Sequence, residues 1–143
     1  DKYRDLADEE AKNASASFAE AIRYHEIGNV TRARKAYEAA EEAVLKAGRA
    51  LTRLQRIAGR GIASEKAETQ KDALKKRLVE IYLGLARLFV DDRNYKRGIT
   101  YVNRVLFLDP VNREALDMRT RIDEDRIQPR SLRKLTNTPI RYR

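Results

Sequence analysis

From Val30 to Leu54, apolar and small residues recur at steps of three and four: Val30, Ala33, Tyr37, Ala40, Val44, Ala47, Leu51 and Leu54. An α-helix turns once every ~3.6 residues, so this spacing places the whole series on one face. The seam predicts a helix from Val30 to about Ala58, and its alanines permit close approach by neighbouring helices. A second series, Ala67, Leu74, Leu78, Ile81, Leu85 and Leu88, predicts another long helix from about Ser64 to Asp91. Two long amphipathic helices joined by Gly59-Arg60-Gly61 must bury their seams together, which constrains the chain to an all-α fold.

The remaining elements follow from their stop and start signals. A first helix is predicted from about Asp5 to Ile27, with Ala11, Ala14, Phe18, Ala21 and His25 on its inner seam. Asp5, Asp8, Glu9 and Glu10 stand near its N-terminus, where carboxylates suit the helix dipole. Gly28 ends it, and Asn29 caps the next helix through its side-chain oxygen. Ser64 is the expected cap of the third helix. Asn94 starts a fourth helix, ending near Leu108. Asp109-Pro110-Val111-Asn112 reads as a turn opening a fifth, which runs to about Ile127 with Ala115, Leu116 and Ile122 inward. Pro129 ends the pattern. The expected organisation is one helical domain over residues 1–127 and a C-terminal tail over residues 128–143.

The order of residues around two of these turns carries a resemblance. Tyr82, Leu85, Ala86, Phe89, the turn Asp92-Arg93-Asn94, then Tyr95, Gly98, Val102, Val105, Leu106 and Pro110 follow the pattern of a helix–turn–helix unit of about 34 residues. Upstream, Ala21, Tyr24, Gly28, Ala33, Tyr37 and Ala40 repeat that spacing with fewer matches, and Glu20 and Ser17 depart from it. The chain resembles the tetratricopeptide repeat family, and the two copies cover roughly half of it. The resemblance implies antiparallel helix pairs in an α-solenoid fragment that binds a protein partner. It also implies that the first helix of each unit lines a concave groove. On this chain the groove set is Phe18, Ile22, His25, Leu83, Arg87, Val90 and Met118. The family's carboxylate clamp for chaperone tails would fall on Ser15, Phe18, Ala19, Ile22, Glu80, Leu83, Gly84 and Arg87. Only Arg87 is a suitable type, so an apolar groove for a peptide or a helix is the expectation instead.

The second and third helices run beyond a standard unit by about 20 Å, at 1.5 Å per residue. The expectation is an elongated hairpin, residues 46–77, projecting from the repeat body. Charge concentrates there. The chain carries +9 overall, and between Lys46 and Arg77 ten basic residues face three acidic ones. Lys46, Arg49, Arg53, Arg56 and Arg60 form a basic stripe at steps of three and four. The tail adds Arg130, Arg133, Lys134, Arg141 and Arg143, with Arg126 just before it and no acid. Stripe and tail could face an acidic protein, lipid head groups or nucleic acid; the bland alternative for the stripe is a solvated flank. The tail's Ile127, Leu132, Leu135, Ile140 and Tyr142 predict that it docks on a helical surface.

Signals for catalysis are weak. Cysteine is absent and histidine occurs once, at His25, so no thiolate or paired-histidine site can be built. Asp123-Glu124-Asp125 point in different directions from a helix. Phosphate-binding glycine loops and zinc-protease motifs are missing. The sequence therefore reads as a non-enzymatic adaptor or scaffold without cofactors or metals. A homodimer and a self-assembly element of a larger complex are the structural alternatives. Nucleic acid is not favoured, because helix-turn-helix, zinc-finger and RNA-binding aromatic motifs are lacking. No apolar run of about 18 residues exists to span a membrane. The chain begins at Asp1, and the expectation is a processed or excised piece. Its compartment is not legible.

Overall fold

The computed structural model describes residues 1–127. Among them the chain forms five α-helices and no strand: α1 (Lys2–Glu26), α2 (Val30–Ala58), α3 (Ile62–Asp91), α4 (Tyr95–Leu108) and α5 (Arg113–Ile127). The basic tail anticipated at residues 128–143 lies outside the described residues.

Helix ends follow from local chemistry. Asp1 caps α1 by accepting from the Tyr3 amide at 2.7 Å, which starts the helix earlier than Asp5. Asn29, Asn94 and Asn112 accept from the amides of Arg32, Arg97 and Ala115 at 3.1, 3.3 and 3.0 Å. The expected cap at Ser64 is replaced. Gly59 and Gly61 take positive φ of 68° and 128°, which turns the chain straight into α3 at Ile62 with no side-chain cap. Ser64 then lies inside the helix.

Two of the turns are built alike. At the first, the amides of Ile27, Gly28 and Asn29 donate to the carbonyls of Arg23, His25 and Tyr24. At the second, Asp92, Arg93 and Asn94 donate to Leu88, Val90 and Phe89, the same three bonds displaced along the chain. Ala33, Tyr37 and Ala40 after the first turn correspond to Gly98, Val102 and Val105 after the second, and all six are buried.

The main core joins all five helices. Tyr37, Ile81, Leu85, Leu88, Val102, Val105 and Ile122 are its largest fully enclosed side chains apart from Leu51. Tyr37 of α2 lies across α3 at Gly84, where an added Cβ would stand 2.5 Å from a ring carbon. The ring also packs at a tilt against Phe18 and edge-on to His25. A second core lies farther along the hairpin: Ala7, Ala50, Leu51, Leu54 and Ala67, with Tyr3 and Leu74 against it. The hairpin therefore does not project as a bare pair. α1 runs beside it, tied by Arg4 donating to Gln70 at 3.2 Å and Gln70 donating to Asp8 at 3.3 Å. The reason is physical: two helices leave an apolar strip facing water, and alanines at 7 and 14 let a third helix cover it closely.

A polar knot fastens α4 to the hairpin. The Tyr82 hydroxyl donates to Glu41 at 2.5 Å, and Arg104 lies 3.6 Å from the same carboxylate oxygen. The Arg104 guanidinium also sits over the rings of Tyr82 and Tyr101, at 5.6 and 4.9 Å from their centroids. Burial, then the Glu41 hydrogen bond and charge, push the Tyr82 phenol well above its ordinary value. Burial raises Tyr37 and Tyr101 as well.

Two predictions arise from this packing. Gly84→Ala forces the enclosed Tyr37 ring to move and destabilises the fold by about 1–3 kcal/mol, read as a lower urea midpoint at unchanged slope. The raised phenols remain protonated in the folded chain after those of the unfolded chain have ionised, near a pH of about 10. Folding then binds protons, so stability is level below that pH and falls as pH rises through it. Tyr82→Phe should flatten that fall in urea titrations run at increasing alkalinity.

Candidate functional site

The residues assigned to a partner groove separate in the structure. Leu83, Val90 and Met118 are 8%, 6% and 4% exposed and belong to the main core, so they offer no surface to a partner. Phe18 is half-buried beneath the Arg77 guanidinium, 5.0 Å from its ring centroid. Ile22 is exposed. His25 is bonded through Nδ1 to the Tyr37 hydroxyl at 3.3 Å and through Nε2 to Asp91 at 3.2 Å, which links α1, α2 and α3. Arg87 pairs with Glu114 and so joins α3 to α5.

The basic stripe also divides. Lys46 turns toward Glu42 at 3.3 Å and Glu10 at 4.0 Å. Arg60 lies beyond the end of α2, at the hairpin tip. Arg49, Arg53 and Arg56 stay together and border an open groove of about 540 Å³ between α2 and α3. Leu108, the last residue of α4, closes one end. The floor is apolar: Val44 and Leu45 from α2, Leu74 and Leu78 from α3. Gly48 also lines it, in the interior of α2, with open space where a Cβ would stand. Lys71 and Lys75 of α3 complete the rim.

Three arginines outside the groove pair with carboxylates: Arg77 with Glu80, Arg87 with Glu114 and Arg104 with Glu41. Around the groove, Lys71 donates to the neutral Gln55 at 3.0 Å. Arg49, Arg53, Arg56 and Lys75 have no carboxylate or ring partner among the described residues. Four unpaired cations over an apolar floor can hold a segment that is apolar on one side and anionic at its edges. A shallower depression beyond Leu108, between Leu78, Tyr82, Arg104 and the strongly exposed Phe107, extends the apolar surface.

Sequence reasoning found the arginines but missed Leu45, Gly48 and Leu108 as groove residues. The signal was present. Leu45, Gly48 and Thr52 step by three and four beside the Val44 seam, so α2 has a second apolar-to-small stripe that its hairpin partner does not use. Among the described residues, no group of three or more His, Asp or Glu is arranged to hold a metal ion, and no helix is long and apolar enough to cross a membrane.

The three arginines repel one another at steps of three and four, a penalty of about 0.2–0.5 kcal/mol per pair. Added salt should therefore raise the melting temperature of the wild-type chain. Arg49, Arg53 and Arg56 are exposed, so changing all three to Glu should leave the melting temperature within a few degrees, measured by circular dichroism.

A scan against protein-family models and a search of curated proteins each found no match.

Proposed function

We propose that this chain is a non-enzymatic protein-interaction module, a tetratricopeptide-like pair of helix–turn–helix units that works as an adaptor or scaffold. Its binding surface is the groove on the long hairpin. The twin turns at Gly28 and Arg93, with the same three backbone bonds, support the repeat reading. The observation that carries the function is the open groove itself: an apolar floor about 540 Å³ in volume, rimmed by cations that no carboxylate of the described residues neutralises. The anionic-partner reading merges with this one, since the cations and the apolar floor belong to one site. The concave-surface reading is weaker, because three of its seven residues are enclosed.

Site-specific photo-crosslinking tests the proposal. Leu45 is 41% exposed and tolerates a benzophenone side chain. A chain carrying that group at position 45 should form a covalent adduct with a discrete protein in a native extract. The same group at exposed Lys35 on α2, away from the groove, should not. Equal adducts at both positions, or adducts with RNA alone, would refute the reading.

A further inference from the structure

We infer that the groove takes one amphipathic α-helix of about three turns, with leucine-type residues on one face and carboxylates along both edges. The inference rests on the reading of the hairpin as a protein-binding site, and it names the chemistry of the occupant.

The length of the seat comes first. Along α2 the groove runs from Val44 to Arg56, about 18 Å at 1.5 Å per residue. That accommodates about 12 helical residues. An extended peptide of about 12 residues would span about 40 Å, roughly twice the groove, and its backbone would go unpaired, because two helices offer no strand edge to bond it. A helix satisfies its own backbone and presents only side chains.

Position supports the same occupant. α1 covers one side of the hairpin along its length, through the second core. On the groove side, α4 packs against α3 in the body and stops at Leu108, at the mouth of the groove. Asp109 and Pro110 then lie beside α3, lining a neighbouring depression with Asp72, Lys75 and Lys76. A partner helix entering at Leu108 would give the three-helix extension its fourth member.

Gly48 points to close approach. A glycine inside a helix is less stable than alanine, and here no neighbour among the described residues fills the space above it. A helix in the groove can come nearest at this residue, with Leu45 and Leu78 on either side as contacts.

Charge then selects the partner. Arg49, Arg53 and Arg56 stand on one edge and Lys75 on the other. Carboxylates on both edges of the incoming helix would pair with them. The chain's own residues 128–143 carry five basic residues and no acidic side chain, so they lack the carboxylates that this rim would pair with. A narrow concave seat with a leucine floor also fits a side-chain ridge better than a flat lipid surface or a phosphate backbone.

The test uses the full chain and a labelled synthetic peptide of about 14 residues, with leucine at steps of three and four and glutamate on both flanks. Fluorescence anisotropy should show binding that weakens as salt rises, with a gain of helical circular dichroism. A scrambled peptide of the same composition should bind at least about tenfold more weakly. Gly48→Leu should raise the melting temperature while weakening peptide binding by about tenfold or more, because it fills the groove without touching the fold. Equal binding of the scrambled peptide, or wild-type affinity in Gly48→Leu, overturns the inference. So does a tighter grip on phosphatidylglycerol vesicles or single-stranded RNA that Gly48→Leu abolishes. A wild-type dimer that Gly48→Leu converts to monomer in sedimentation would make a second copy the occupant, and would equally overturn it. If the peptide fails while crosslinking from position 45 still captures a discrete protein, the occupant's chemistry is wrong and the protein-binding reading survives. Failure of both removes both.

Discussion

The contact between the Tyr37 ring and the bare backbone of Gly84 sets the geometry of this molecule. A phenol ring placed where any Cβ would collide fixes α2 against α3 in one register. It also positions α1, because Phe18 and His25 close around the same ring. From that point the two long helices run on together, and alanines at 40, 43, 47 and 50 keep their backbones near enough for α1 to lie alongside. Interiors are packed as tightly as organic crystals, so a register fixed at one end is transmitted to the other. The groove near Arg49 and Leu74 inherits this register, because Val44 on its floor belongs to the main core and Leu74, Leu78 and Leu108 pack against it.

The polar interactions divide by place in the fold. In the body, Glu41, Tyr82 and Arg104 form a half-buried knot whose groups all have partners, which is the condition under which buried polar groups favour a unique arrangement. Along the hairpin, the cations beside the groove repel one another and gain nothing from the fold among the described residues. Exposed charge of that kind contributes little to stability in either direction. On the proposed reading its consequence lies outside the chain: a concentrated positive rim would raise the local concentration of an anionic partner and speed its encounter.

Much of the fold could be read from residues alone. The five helices, their order and the asparagine caps at Asn29 and Asn94 follow from period and cap chemistry, with ends within a few residues; for α5 only the turn at 109–112 was legible, not Asn112 as its cap. The start of α3 was misplaced because two glycines in left-handed conformations did the work assigned to Ser64. The expected first-helix seam began at Ala11 and left out Ala7, so the hairpin was expected to project alone; nothing in the neighbourhood of Ala7 announces that Leu51, far along the chain, needs covering. The site was legible only in part. Steps of three and four located Arg49, Arg53 and Arg56. The same periodicity could not tell which apolar residues a neighbour would cover, so Leu83, Val90 and Met118 were placed in a groove and are core. Exposure depends on where α5 sits, and that is a property of tertiary packing.

Magnitudes decide how floor and rim would share the work of binding. Burying a leucine side chain contributes roughly 1.5–3 kcal/mol. An exposed ion pair contributes about 0.2–1 kcal/mol. Two or three leucine contacts would therefore outweigh all four rim cations together, and on the proposed reading the rim would act mainly through encounter rate and partner choice. Association itself costs at least about 4 kcal/mol in lost freedom, before any folding of the incoming helix. A seat this short consequently leaves a modest net affinity. Tight attachment would require a second contact on the same partner. The strongly exposed Ile57 and Ile62 beside the hairpin tip, and Phe107 and Val111 at the far end, flank the groove at both limits. A partner that reached either pair would convert a weak local contact into a stable one through effective concentration, and that places the natural extension of the interface along the hairpin axis.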